Sequence, residues 1–186
     1  MVIDTDDICN KMKLRYVDFR DTKGYLESML DPETRKGFLN PPHNLHEAKR
    51  YIASRIAEKN QNPPKAERFT IEEDGKYAGF VELHGLNIPK YEHRAYLGYC
   101  IHPDFRGKGL ATEAVKKTVV YAFKTYNLKR LEAMCRSRNE GSIRVLRKAG
   151  FDLEGTLKNN SYQNGEYLDD MVWSITHSKP LYKTKD

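Results

Sequence analysis

Gly98-Tyr99-Cys100-Ile101-His102-Pro103-Asp104-Phe105-Arg106-Gly107-Lys108-Gly109-Leu110-Ala111-Thr112 is the stretch that decides how this chain folds. The aromatic and aliphatic run ending at Ile101 reads as a strand, and the apolar spacing after Gly109 reads as a long helix. Between them lies a tight turn with two glycines. Such a turn points several backbone N–H groups at one spot, and the helix start adds partial positive charge there. Gly107 and Gly109 permit a close approach and positive φ. Arg106 and Lys108 add formal charge. The physical product is a diphosphate cradle. A Walker loop, Gly-x-x-x-x-Gly-Lys-Ser/Thr, is absent. So is a Rossmann fingerprint, which needs three glycines and an acid about 20 residues on. Alone, Arg106–Gly109 would be an ordinary surface turn; the flanking strand, Pro103 and the long helix favour a ligand loop.

Working outward, residues 13–17 alternate as a strand. Residues 20–30 form a short helix that closes near Asp31-Pro32. Asn44-Leu45-His46-Glu47 has the form of a capping box, and Ala48, Ile52 and Ile56 then share a helical face. Strands 67–73 and 76–84 flank Asp74-Gly75, a two-residue hairpin signal. Residues 94–101 form the next strand. In the helix after Gly109, Ala111, Ala114, Val115, Thr118, Ala122 and Phe123 share one face, while Glu113, Lys116, Lys117 and Lys124 face out. A strand follows at 130–137, then a helix over 139–149 stopped by Gly150. Strands 151–162 and 166–175 surround Asn164-Gly165, a second hairpin turn. This order predicts a mixed α/β (α+β) domain on one central sheet, mostly antiparallel and flanked by helices.

With 186 residues the chain suits one domain, taken here as 11–176, and the last residues, 177–186, read as a flexible tail. Twelve tyrosines and seven phenylalanines supply enough large apolar area to argue against disorder. No apolar run approaches the ~20 residues of a membrane span. The start, MVIDTDDICN, with early acids and no apolar core, does not read as a signal peptide. Cys9, Cys100 and Cys135 are scattered and form neither a disulfide framework nor a zinc pattern, which fits a reducing, cytoplasmic setting. A net charge of +6 suits an anionic ligand but is too diffuse to imply nucleic acid.

Arg106-Gly107-Lys108-Gly109-Leu110-Ala111 resembles the Gln/Arg-x-x-Gly-x-Gly/Ala signature of the GCN5-related N-acetyltransferases, the GNAT superfamily. Ile101-His102-Pro103 is similar to that family's strand end. Asn139-Glu140-Gly141-Ser142 followed by Lys148-Ala149-Gly150-Phe151 resembles its fourth motif. Lys13–Asp18, Glu154-Gly155, Tyr162, Asn164-Gly165 and Asp169 are similar to the ribosomal-protein N-terminal acetyltransferase (RimJ/RimL-like) branch. The resemblance implies an acetyl-CoA site between two splayed central strands, those of Leu97–Ile101 and Leu131–Arg136. It places the pantetheine arm near Tyr99–His102 and the pyrophosphate on the N–H groups of Arg106–Ala111. Thr112 adds a hydroxyl, Asn139 lies on the pantetheine side, and Arg147, with Arg144 and Lys148, either holds an adenosine phosphate or is a solvated face.

Acetyl transfer to an amine needs positioning, a neutral amine, an oxyanion donor and protonation of sulfur. The resemblance implies the Ile101 N–H as oxyanion donor. A tyrosine common in the family seven residues after the Asn139 equivalent is replaced here by Leu146. Ser142 is then either the sulfur-side donor, as in the RimL-type branch, or a helix cap. The usual carboxylate positions hold Tyr96 and Ser161, so Glu82 is either a substitute base or a residue on a solvated sheet edge. An α-amine of pKa about 7.7–8.0 is about one-tenth neutral at pH 7, a lysine-type amine near 10.4 only about 0.04%, a gap of ~3 kcal/mol. A site without a strong base therefore suits a protein N-terminus. Tyr162, Tyr167 and Asp169 lie where the resemblance implies the acceptor groove; Asp169 either attracts the ammonium or fixes the strand. His43 and His46 read as a surface pair, with no metal site expected.

The expectation is an acetyl-CoA-dependent N-acetyltransferase, monomer or homodimer, acting on a protein N-terminal α-amine such as that of a ribosomal protein. The alternatives are a small amine (polyamine, aminoglycoside or amino acid) as acceptor, or a non-catalytic acyl-CoA-binding module. Neither membrane nor nucleic acid is an expected partner.

Overall fold

The computed structural model describes residues 12–177. Seven strands form one sheet in the order β1-β2-β3-β4-β5-β7-β6: β1 Met12–Tyr16, β2 Ala66–Glu73, β3 Lys76–His84, β4 Arg94–Ile101, β5 Arg130–Arg136, β6 Asp152–Gln163 and β7 Glu166–Thr176. The two dipeptides expected to turn hairpins do so. Asp74 and Gly75 have φ of 49° and 75°, and Asn164 and Gly165 have 52° and 84°, the paired positive values of a type I′ turn. Every neighbouring pair is antiparallel except β4 and β5. A parallel pair needs a crossover, and helix α4, Leu110–Tyr126, supplies it.

Helices α1 (Thr22–Leu30), α2 (Pro32–Arg35) and α3 (Leu45–Lys59) lie over one face of the N-terminal half of the sheet. There Tyr25, Met29, Ala48, Ile52, Phe80 and Cys100 bury together. Helices α4 and α5 (Glu140–Lys148) pack on the other face around Phe69, Val81, Leu97, Val115, Leu131 and Trp173. The apolar stripe read for α4 is buried from Ala114 to Phe123, with Val119 and Tyr121 widening it and Ala111 only half-buried.

Several boundaries differ from the sequence reading for local reasons. A 3-10 turn, Phe19–Asp21, precedes α1, whose first residue is Thr22. Asp31-Pro32 ends one helix and starts another: Asp31 Oδ2 accepts from the Thr34 N–H at 2.8 Å, and Pro32 fills the first turn. Only half of the capping box forms as expected. Asn44 Oδ1 accepts from the Glu47 N–H at 2.9 Å, while the Glu47 carboxylate takes the His43 N–H at 2.8 Å. The solvated-edge alternative for Glu82 is excluded, because β3 lies between β2 and β4. Cys9 and the expected tail from 178 onward lie outside the described residues.

Candidate active site

The sheet opens where the sequence resemblance implied. β4 and β5 pair only at Arg94↔Arg130, Ala95↔Leu131 and Tyr96↔Glu132, and then run on apart to Ile101 and Arg136. The result is a V-shaped gap with its vertex at Tyr96. His102 donates its N–H to the Ala78 carbonyl at 2.9 Å, toward β3. Backbone groups alternate along an antiparallel strand, so Cys100 and Gly98 also face β3. Tyr99 and Ile101 accordingly turn theirs toward β5, into the gap. His102 itself does not serve the gap, contrary to expectation. Its N–H is used by Ala78, its carbonyl accepts from Phe105 at 2.9 Å, and its Nδ1 accepts from the Asp104 N–H at 3.3 Å.

Beyond β4 the chain bends through a 3-10 turn, Pro103–Phe105, into the glycine loop. Gly107 and Gly109 take φ of 80° and 82°, in the left-handed region that favours glycine. A Cβ on either would project into open space. The Arg106 N–H closes the 3-10 turn on the Pro103 carbonyl at 3.3 Å, so the cradle starts one residue later than expected. Among the described residues no hydrogen bond takes the N–H groups of Gly107, Lys108, Gly109, Leu110, Ala111 or Thr112. These are the orphan amides of a helix start, and they follow directly on the end of β4 that borders the gap.

The two cationic side chains of the loop point elsewhere. Arg106 Nη2 donates to Asp31 Oδ2 at 2.5 Å and to Thr34 Oγ1 at 2.7 Å. Burial alone would raise the Asp31 carboxyl, but the bonds from Arg106 and Thr34 outweigh it and hold the carboxyl below its usual value. Lys108 Nζ bonds Glu73 Oε2 at 2.9 Å and lies over the Phe105 ring. Formal charge therefore staples the loop to α2 and β2, and the field of the cradle comes from amides.

Across the gap, Asn139 caps α5: its Oδ1 accepts from the Ser142 N–H at 3.0 Å. Ser142 is thus not the cap, and its hydroxyl lies beside the Tyr99 phenol. Its carbonyl accepts from the Tyr99 hydroxyl at 3.2 Å, which ties β4 to α5. Burial pushes the Tyr99 phenol up. Leu146 is buried in the core. Glu82 faces the α1–α3 side of the sheet, opposite Gly98 in register and bonded to Arg68 of β2 at 2.9 Å.

The remaining expected residues lie farther out. Tyr162 and Tyr167 are exposed, with ring centres 5.0 Å apart and planes tilted by 51°. Strand alternation turns them away from α2; it is Gln163 that reaches it, donating to the Arg35 and Phe38 carbonyls at 3.3 and 3.1 Å. Asp169 accepts from Lys158 Nζ and the Asn159 N–H, both at 2.9 Å, and so fixes a bulge in β6. Arg147 is exposed on α5, its guanidinium 5.8 Å from the Trp173 ring centre. Burial pushes the Cys100 and Cys135 thiols up to about 12 and 11, which suits inert core residues. No cluster of metal-ligating side chains occurs among the described residues.

Open amides beside an unpaired strand edge fit an extended ligand with a diphosphate. The sequence matches the acetyltransferase (GNAT) domain family over residues 11–152. The chain belongs to the GNAT acetyltransferase family. Spermidine N(1)-acetyltransferase of Escherichia coli K12 is 38% identical to it over 132 residues, 71% of this chain and 70% of that protein. The structure of RimL, a ribosomal L7/L12 alpha-N-protein acetyltransferase in complex with coenzyme A, superposes with a TM-score of 0.83 at 20% identity, covering 95% and 98% of the two chains. That of the microcin C7 self-immunity acetyltransferase MccE with acetyl-CoA and AMP gives 0.77 at 26% identity, covering 90% and 93%. This GNAT enzyme is an acetyl-CoA-dependent acetyltransferase with the mixed α/β fold of its RimJ/RimL-type structural neighbours. Among its described residues no helix is long and apolar enough to cross a membrane.

Proposed function

We propose that the acceptor is a small polyamine-type primary amine rather than a protein N-terminus. The observation that carries this is the 38% identity to a spermidine acetyltransferase over 70% of that protein's length. This revises the α-amine expectation, which rested on the lack of a strong base. The site supports the revision, because Glu82 offers a carboxylate beside the cofactor strand that attracts an ammonium group.

Acetyl-CoA, when bound, supplies an acetyl carbon activated as a thioester. The amides of Gly107–Thr112 bind its diphosphate. Backbone groups of Tyr99 and Ile101 orient the pantetheine arm in the gap, and the Ile101 N–H faces the thioester oxygen, where negative charge develops during attack. Asn139 holds the start of α5, and the Ser142 hydroxyl, beside the Tyr99 phenol, hydrogen-bonds the sulfur. Glu82 draws the ammonium in and, as the base, takes one of its protons, so that the neutral amine attacks the acetyl carbon while the carbon–sulfur bond breaks and the leaving thiolate takes a proton through Ser142. The test is thiol release from acetyl-CoA with spermidine, aminoglycosides, amino acids and N-terminal peptides as acceptors. The reading predicts the highest kcat/KM for the polyamine; a peptide preferred over every small amine would overturn it.

A further inference from the structure

Arg68 carries a charge into the core, with its side chain only 1% exposed. Burying a guanidinium is costly unless its environment returns the lost hydration. Here aromatic rings do part of that: the guanidinium carbon lies 3.6 Å from the Phe80 ring centre, 4.6 Å from Tyr51 and 5.0 Å from Tyr25. Tyr25 comes from α1, Tyr51 from α3 and Phe80 from β3, so the helical layer and the sheet fix its position together.

The hydrogen bonding is lopsided. Arg68 Nε and Nη2 both stand 2.9 Å from the same oxygen, Glu82 Oε2, and Nη2 also donates to the Tyr51 hydroxyl at 3.0 Å. Nη1 has no partner. Two other arginine–carboxylate pairs engage both oxygens, Arg130 with Glu154 and Arg15 with Asp21, while Arg106–Asp31 and Arg136–Asp170 engage one, as Arg68–Glu82 does. At Glu82 the single-oxygen grip leaves Oε1 out of the pair with Arg68. At Glu82 the second oxygen, Oε1, lies 3.4 Å from where a Cβ of residue 98 would stand, and residue 98 is glycine. Glycine there leaves that oxygen lying against the backbone of the cofactor strand.

We infer that Arg68 is a positioning residue, which pins Oε2 of Glu82 so that Oε1 stands over Gly98 to receive the acceptor ammonium. The inference rests on the role proposed above for Glu82. Arg68 touches neither substrate; it acts through Glu82, and Tyr51 acts through Arg68.

A double-mutant cycle on kcat tests this, with coenzyme A affinity measured by calorimetry for every variant. R68K keeps the charge and loses the planar fork, and kcat falls about 100-fold for a displacement of the carboxylate near 1 Å. Y51F removes one hydrogen bond from Nη2, and kcat falls about fivefold. Coenzyme A affinity stays within twofold of wild type in both. In an E82Q background neither substitution lowers kcat further, because the group they position is gone. If the losses multiply in that background, Arg68 and Tyr51 serve only the core and the positioning role is overturned. Y51F keeps the charge pair, so it decides the matter even where R68K fails to fold. If wild type binds no coenzyme A, the reading of the site fails first, and that result is separate from multiplying losses.

Discussion

Replacing Gly109 separates backbone strain from charge at the cradle. Gly109 holds φ at 82°, which costs an L-residue about 1–2 kcal/mol. Its added Cβ meets open space, so no clash joins that cost. Gly109→Ala therefore lowers Tm by about 2–8 °C for a domain of this size, and changes cofactor affinity little. Gly109→Glu bears the same strain and puts a carboxylate into the space where the amides converge. Arg106 and Lys108 are held by Asp31 and Glu73, so neither cation stands there to neutralise it. At about 4 Å each charge pair repels by about 1 kcal/mol in water and about 4 kcal/mol at the effective dielectric near a protein surface. Two phosphate charges give about 2–8 kcal/mol, a loss of about 30-fold or more in Kd. Calorimetric titration with coenzyme A, run on both variants, reads this difference directly. If the Glu variant binds within about threefold of the Ala variant, the diphosphate does not lie on these amides and the reasoning fails.

Ser142→Ala removes a hydroxyl that caps nothing, so it lowers kcat about tenfold or more at unchanged Tm and coenzyme A affinity; an unchanged rate returns Ser142 to the helix surface. Arg106→Met cuts the tie to Asp31 and Thr34 and leaves the amides in place. Coenzyme A affinity then falls less than threefold, whereas a loss above about 30-fold would show that the guanidinium itself holds phosphate. Cys100 and Cys135, with thiols pushed up to about 12 and 11, stay unlabelled by iodoacetamide at pH 8 in the folded protein and react after unfolding, as peptide mass spectrometry reads out. Bonds from Arg130 and Ser174 depress the Glu154 carboxyl from 4.5 to about 2. A depressed carboxyl stabilises the fold above its unfolded value and ceases to do so as pH falls through its folded value. Wild type therefore loses Tm between pH 4.5 and 2 more steeply than Glu154→Gln, and parallel curves would remove this pair from the acid transition.

Local chemistry made much of the fold legible. Asp74-Gly75 and Asn164-Gly165 turn hairpins because their positive φ values are written in their residue types. Arg94–Ile101 ends where Pro103 forbids further strand, and Gly109 marks the helix start. What stayed hidden depends on contacts far apart in sequence. Arg106 reads as a phosphate ligand until Asp31, 75 residues away, is seen to hold it. Arg68 looks like any charged residue on a strand, because nothing nearby announces that Tyr25, Tyr51 and Phe80 enclose it. The direction of the Tyr99 hydroxyl likewise depends on where α5 docks. Gln163 could have been found by alternation, since it falls on the face opposite Tyr162 and Tyr167.

Amide chemical shifts of uniformly nitrogen-15-labelled protein, followed during titration with coenzyme A, test the central claim most directly. The account predicts the largest saturable changes at the N–H groups of Gly107–Thr112, accompanied by Tyr99 and Ile101 along the open edge of β4. Saturable shifts confined to other regions, or none at these amides at millimolar coenzyme A, would contradict it.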